Sequence, residues 1–208
     1  MRARDRVEAG ARLGALVATR VPRGALVVGL PRGGVPVAAG VADALGAPLD
    51  VVLVRKLGTP GHRELAMGAI GEGGAVVWNE DLLGRLGVTD RQRQRVLDHE
   101  RAELDRRSRV LRGDRPAPDV GGRTVVVVDD GVATGATARA AAQVLRTRGA
   151  GRVVLAAPVG PADFDGAPDF DETIIDQRPL GFTAVGEHYV DFREVSEAEV
   201  VALLERHR

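Results

Sequence analysis

The chain has 208 residues, 44% of them hydrophobic but only 3% aromatic, so it can bury a sizeable core built mainly from aliphatic side chains. Lys plus Arg and Asp plus Glu stand at 29 each, a balance that argues against a general binding surface for nucleic acid or an acidic membrane. There is no cysteine, which excludes disulfides, thiolate metal centres and thiol nucleophiles.

The first twenty residues mix charges through their apolar positions and do not read as a signal peptide. No stretch approaches the roughly 18–20 apolar residues of a membrane span, so a cytoplasmic protein with no membrane partner is expected. Residues 5–19 carry Val7, Leu13, Leu16 and Val17 at helical spacing. Ala25–Leu30 is a continuous apolar run, as expected of a strand buried on both faces. It ends in Pro31-Arg32-Gly33-Gly34, and a helix is expected over Val35–Leu45, closed by Gly46. Leu49–Val54 reads as a second strand and Arg55–Gly74 as a glycine-bearing loop without periodicity. A strand at Ala75–Trp78 and a helical turn at Asp81–Gly87 follow.

Thr89–Arg112 reads as a long polar helix with Leu97, Leu104 and Leu111 seven residues apart. That seam packs on the domain or on a second subunit, leaving a homo-oligomer open. Its RQRQR and RRSRVLR runs invite a nucleic-acid reading, but neighbouring acids nearly cancel the charge and favour a solvated face. Val125–Val128, Val153–Ala157 and Thr173–Ile175 are further strands, with a helix over Thr137–Arg148. Phe182–Phe192 is irregular, and Ser196–Arg206 is a helix with Ser196 and Glu199 spaced as a capping box. Strands alternating with helices predict an α/β domain with an open, mainly parallel sheet flanked by helices.

In such sheets ligands sit beyond the carboxyl ends of the strands, and there the chain reads VVVVDDGVATGAT, residues 125–137. Adjacent carboxylates at Asp129 and Asp130 need hydroxyl, amide or cation partners. The small residues Gly131, Val132, Ala133, Thr134, Gly135, Ala136 and Thr137 let backbone N–H groups close on an anion. Thr134 and Thr137 add hydroxyls, and the following helix N-terminus favours phosphate. Acids for ribose hydroxyls beside a donor-lined loop make a site for ribose 5-phosphate. A P-loop NTPase would need GxxxxGK[ST] and a dinucleotide fold GxGxxG after the first strand; the chain has neither.

The same run resembles the phosphoribosyl pyrophosphate (PRPP) signature of the type I phosphoribosyltransferases. The resemblance covers most of Ala25–Phe192 and implies their fold with a small C-terminal hood: one domain over 1–208, with 89–112 an inserted helix and 172–195 the hood. It implies that Asp129 and Asp130 contact the ribose hydroxyls, that residues 131–137 cradle the 5′-phosphate, and that Arg32, Gly33 and Gly34 bind pyrophosphate. Relatives acting on 6-oxopurines place an acid three residues after the second of the pair. Ala133 stands there, which brings the loop closer to adenine and orotate enzymes.

The segment from Arg55, RKLGTPGHRELAMGAIGEGG, resembles the flexible catalytic loop of adenine phosphoribosyltransferases. Arg55, Lys56 (the only lysine of the chain), His62 and Arg63 would then close over a diphosphate, and Glu72 would transfer a proton near the base. The stretch FTAVGEHYVDF resembles the base-binding hood, implying that Phe182, Val185 and Tyr189 sandwich a base and that Asp191 reaches magnesium. The activity implied is transfer of a phosphoribosyl group from PRPP to a nitrogenous base, with Mg²⁺ as cofactor. A PRPP-sensing regulator without turnover, or an enzyme acting on another 5-phosphoribosyl compound, would use the same site.

Overall fold

The computed structural model describes residues 2–207, and of residues 63 and 64 the backbone alone. Helix α1 (Arg6–Val17) opens at Asp5, whose side chain accepts the Glu8 N–H. Strand β1 (Leu26–Gly29) is followed by α2 (Gly34–Leu45), which Gly46 closes in the left-handed conformation. Strand β2 (Leu49–Val51) is shorter than its apolar run predicts: the Val52 N–H makes a last bond to the Gly29 carbonyl, Leu53 is buried without extending the strand, and Val54 starts a different sheet. A hydrophobic run reports burial, not pairing.

Residues 55–74, read as a loop, are instead mostly strand. Strands β3 (Val54–Thr59), β4 (His62–Gly71) and β5 (Val76–Trp78) form an antiparallel sheet in that order. Its buried apolar side chains are Leu57, Met67, Ala69 and Ile70, and its glycines dilute the alternation that would have revealed it. Helix α3 (Glu80–Leu86) leads to α4 (Asp90–Arg112), where Thr89 and Gln92 form a capping box. Leu97, Leu104 and Leu111 are buried in the core of this same chain, which settles where the seam packs.

Strand β6 (Thr124–Val128), helix α5 (Ala136–Thr147), and strands β7 (Arg152–Val159) and β8 (Glu172–Gln177) complete the main sheet. Helix α6 (Glu197–Arg206) carries the predicted Ser196–Glu199 capping box. The five strands run β2-β1-β6-β7-β8, all parallel, as the α/β reading requires. Alternate residues of β6 divide between two cores: Val126 and Val128 with Leu13 and Val37, and Val125 and Val127 with Ala141 and Leu145. Helices α1 and α2 touch backbone to backbone. A Cβ at Gly14 would lie 2.5 Å from the Gly40 carbonyl oxygen, and one at Gly10 2.7 Å from that of Val37. Among the described residues no helix is long and apolar enough to cross a membrane.

Candidate functional site

The central strands β1 and β6 end side by side, with the Leu30 N–H donating to the Val128 carbonyl at 2.8 Å. Asp129 and Asp130 follow β6 at the carboxyl edge of the sheet, where the parallel topology places ligands. The Asp129 N–H donates to the Ala156 carbonyl of β7, and Asp129 Oδ1 accepts the Asp130 N–H at 2.9 Å. Burial, together with the negative charge of Asp130, pushes the Asp129 carboxyl up from 3.8 to about 7.

The loop after β1 backs directly onto these acids. A Cβ at Gly33 would overlap Asp130 Oδ2, and one at Gly34 would lie 2.6 Å from the Val128 carbonyl oxygen. Only glycine permits that approach. The Pro31–Arg32 peptide is cis. The Arg32 guanidinium is half-exposed and pairs with Glu194.

The run 131–137 divides into two parts. Gly131 is buried beneath Val185, and Val132 sits in the core with its N–H bonded to the Val159 carbonyl, so neither is open to an anion. Ala133, Thr134, Ala136 and Thr137 are exposed. Gly135 takes the left-handed conformation (φ 72°) and opens α5 without a side chain of its own to cap it, while the Ala136 N–H donates to the Thr134 hydroxyl at 3.4 Å. Thr137 shares a cleft of about 30 Å³ with Leu30, Pro31 and Arg107, which joins the two loops.

Lys56 is exposed and lines an open groove of about 500 Å³ with Ala136 and Trp78, bringing it to the first turn of α5. Arg55 instead pairs with Glu100 of α4 at 2.7 Å. His62 is exposed on β4, and the side chain of Arg63 lies outside the described residues. Glu72, expected as a proton-transfer group, is corrected by its surroundings. It is buried, holds the Arg112 guanidinium through both oxygens, and accepts the Ser108 hydroxyl at 2.7 Å. Arg112 also reaches Asp50 at 2.8 Å and the Val51 carbonyl at 2.7 Å. Burial works against its charge, but Glu72 and Asp50 hold its pKa above the ordinary value. Glu72 therefore ties α4 to the sheet.

The hood expectation also changes. Tyr189 is not an open stacking face: it is buried, donates its hydroxyl to the Asp130 carbonyl at 2.5 Å, and stacks on Phe192. Burial and the nearby acids push its phenol pKa up. Phe182 stacks on His188, with ring centroids 5.5 Å apart. Asp191 is exposed and accepts the Arg193 N–H at 3.0 Å, with the Arg193 guanidinium at 3.9 Å, which gives it a cation for a neighbour rather than further metal ligands. Among the described residues no group of three or more His, Asp or Glu is arranged to hold a metal.

One participant has no counterpart in the sequence reading. Arg6 of α1 donates from Nε and Nη2 to Asp130 Oδ2 at 2.8 and 2.7 Å, with its side chain only 11% exposed. The contact spans 124 positions, and no local pattern announces it.

Residues 22–189 match the family model described as phosphoribosyl transferase domain. The chain belongs to that family. Over 204 residues it is 47% identical to a Mycobacterium tuberculosis protein named "Putative phosphoribosyl transferase Rv0571c" in strain H37Rv and MT0597 in strain CDC 1551. The alignment covers 97% of this chain but 46% of that protein, so the chain spans about half the length of the curated relatives it matches. The crystal structure of TT1426 from Thermus thermophilus superposes with a TM-score of 0.88 at 42% identity, covering 100% of this chain and 99% of that one. The phosphoribosyl transferase domain thus takes in the acid pair and both glycine loops, while α1, and Arg6 with it, precedes the matched span.

Proposed function

We propose that this phosphoribosyl transferase binds PRPP at the carboxyl ends of β1 and β6 and transfers its 5-phosphoribosyl group to a nitrogenous base. One observation carries the reading: two carboxylates stand between a donor-lined loop that opens α5 and a glycine loop that touches one of them. Asp129 and Asp130 would take the ribose hydroxyls, Ala133–Thr137 the 5′-phosphate, and Arg32 with Gly33 and Gly34 the diphosphate. The C1′–O bond to pyrophosphate breaks, its electron pair leaving with the diphosphate, as the base nitrogen bonds to C1′ from the opposite face, and that nitrogen then gives its proton to water. The protein contributes positioning and donors aimed at the leaving diphosphate, with Lys56 an exposed cation in the groove that reaches Ala136. Mg²⁺ suits this chemistry by neutralising the diphosphate. With no protein cluster of three ligands among the described residues, it would draw its oxygens from diphosphate, ribose and water. A cytoplasmic setting, with small-molecule partners and no membrane, accompanies this reading.

The placement of Glu72 favours a second reading, ligand sensing without turnover, because it takes away the one candidate proton-transfer acid. Pyrophosphate release from PRPP–Mg²⁺ across a panel of purines, pyrimidines and small amines separates the two. Release with one class of base establishes transfer and names the acceptor. Calorimetric binding of PRPP that the Asp129→Asn/Asp130→Asn double variant abolishes, with no release for any base, favours the sensor over transfer to a base. Binding unchanged in that variant rejects both.

A further inference from the structure

Arg6 is the best-held side chain at the site. Both of its contacts to Asp130 fall on Oδ2, its third nitrogen donates to the Arg193 carbonyl at 2.8 Å, and its guanidinium lies 4.0 Å from the centroid of the Phe192 ring. Oδ2 is further enclosed by Gly33, where a Cβ would overlap it. Among the described residues no N–H group and no hydroxyl donates to Asp130 Oδ1, and the Asp129 carboxyl stands within side-chain hydrogen-bonding reach of Asp130. Oδ2 is thus the oxygen committed to the cation and to the glycine loop.

We propose that Arg6 is a positioning residue that fixes Asp130 through Oδ2 and thereby presents Oδ1 to a ribose hydroxyl. This rests on the ribose-binding reading of the acid pair. A planar donor pair on one oxygen sets the carboxylate's rotation, and stacking on Phe192 sets the plane of the donor itself. Arg6 also offsets the repulsion between two adjacent carboxylates, so that Asp130 stays oriented beside Asp129. The cation enters from outside the matched family span, held by the crossing of α1 with α2 and by backbone bonds from Ala3, Val190 and Asp191 that join the N-terminal segment to the one before α6.

The test uses the full chain and two probes that share a phosphate. Ribose 5-phosphate engages both the acids and the α5 loop, whereas inorganic phosphate engages the loop alone. For Arg6→Met, calorimetry is expected to give ribose 5-phosphate affinity lower by about tenfold or more, with phosphate affinity unchanged. Arg6→Lys keeps the charge without the fork and is expected to fall between. It also serves as the test variant if Arg6→Met does not fold, as judged by circular dichroism. Equal losses for both probes would make Arg6 a structural support only, and unchanged ribose 5-phosphate binding in either folded variant would overturn the proposal. Wild-type protein that binds neither PRPP nor ribose 5-phosphate would instead overturn the ribose-site reading beneath it.

Discussion

The acid pair was legible because everything that defines it is local: an apolar strand, two carboxylates and small residues in a single run. What the run could not display is which of its members face outward, since Val132 reads as a loop residue until Val159 is seen to take its N–H. Gly33 was legible as a glycine but not as the neighbour of Asp130. Its φ of −61° suits any residue, so the demand for glycine there is steric alone. Gly33→Ala is therefore expected to retain its fold by circular dichroism while ribose 5-phosphate affinity drops by at least about tenfold. Wild-type affinity in that variant would show that the loop can move aside. Asp129 supplies a pH dependence. Its pKa is raised from 3.8 to about 7, so between those values the folded state holds a proton that the unfolded chain releases. Stability from this group is highest at low pH, declines as pH rises through that window, and is level above it. Asp129→Asn removes the decline, so its Tm advantage over wild type should grow from pH 4 to pH 7; a constant difference would refute the assignment.

Elements with a strong period or a cap were readable. The leucines of α4 and the capping box at Ser196 state their own geometry. The β3–β4 hairpin was not, because glycines at 58, 61, 68 and 71 look like a loop until cross-strand partners are known. Nor did the polar surface of α4 reveal that its last residue, Arg112, is buried against Glu72 and Asp50. Removing one partner of a buried ion pair leaves the others uncompensated, so Arg112→Met should cost about 3–5 kcal/mol in a denaturant titration. Glu72→Gln decides between two roles for that carboxylate. A tie between α4 and the sheet predicts a lower denaturation midpoint with turnover per folded molecule retained. A proton-transfer role predicts the reverse, full stability with turnover lost.

At the scale of the whole molecule, the segments that precede α1 and α6 converge on the site. Residues 3–4 bond to the backbone at 188–191, Arg6 reaches Asp130, and α1 lies flush on α2 because glycines line the crossing. Such long-range closure leaves no periodic trace; only the product of the fold shows it. The crossing leaves no room for added volume: a Cβ at Gly40 would stand 2.5 Å from the Gly10 carbonyl carbon. Gly40→Val should therefore lift α1 from α2 and destabilise the protein, overpacking of this kind costing roughly 1–3 kcal/mol. If α1 is what delivers Arg6, ribose 5-phosphate affinity should fall along with Tm, while binding of inorganic phosphate to the α5 loop persists. A second substitution separates general loosening from loss of Arg6. Leu145→Ala opens the opposite core, beneath α5, at a cost of about 2–5 kcal/mol, and is expected to leave the preference for ribose 5-phosphate over phosphate as in wild type. Should Leu145→Ala erase that preference as fully as Gly40→Val, global stability rather than the helix crossing would govern the acid pair.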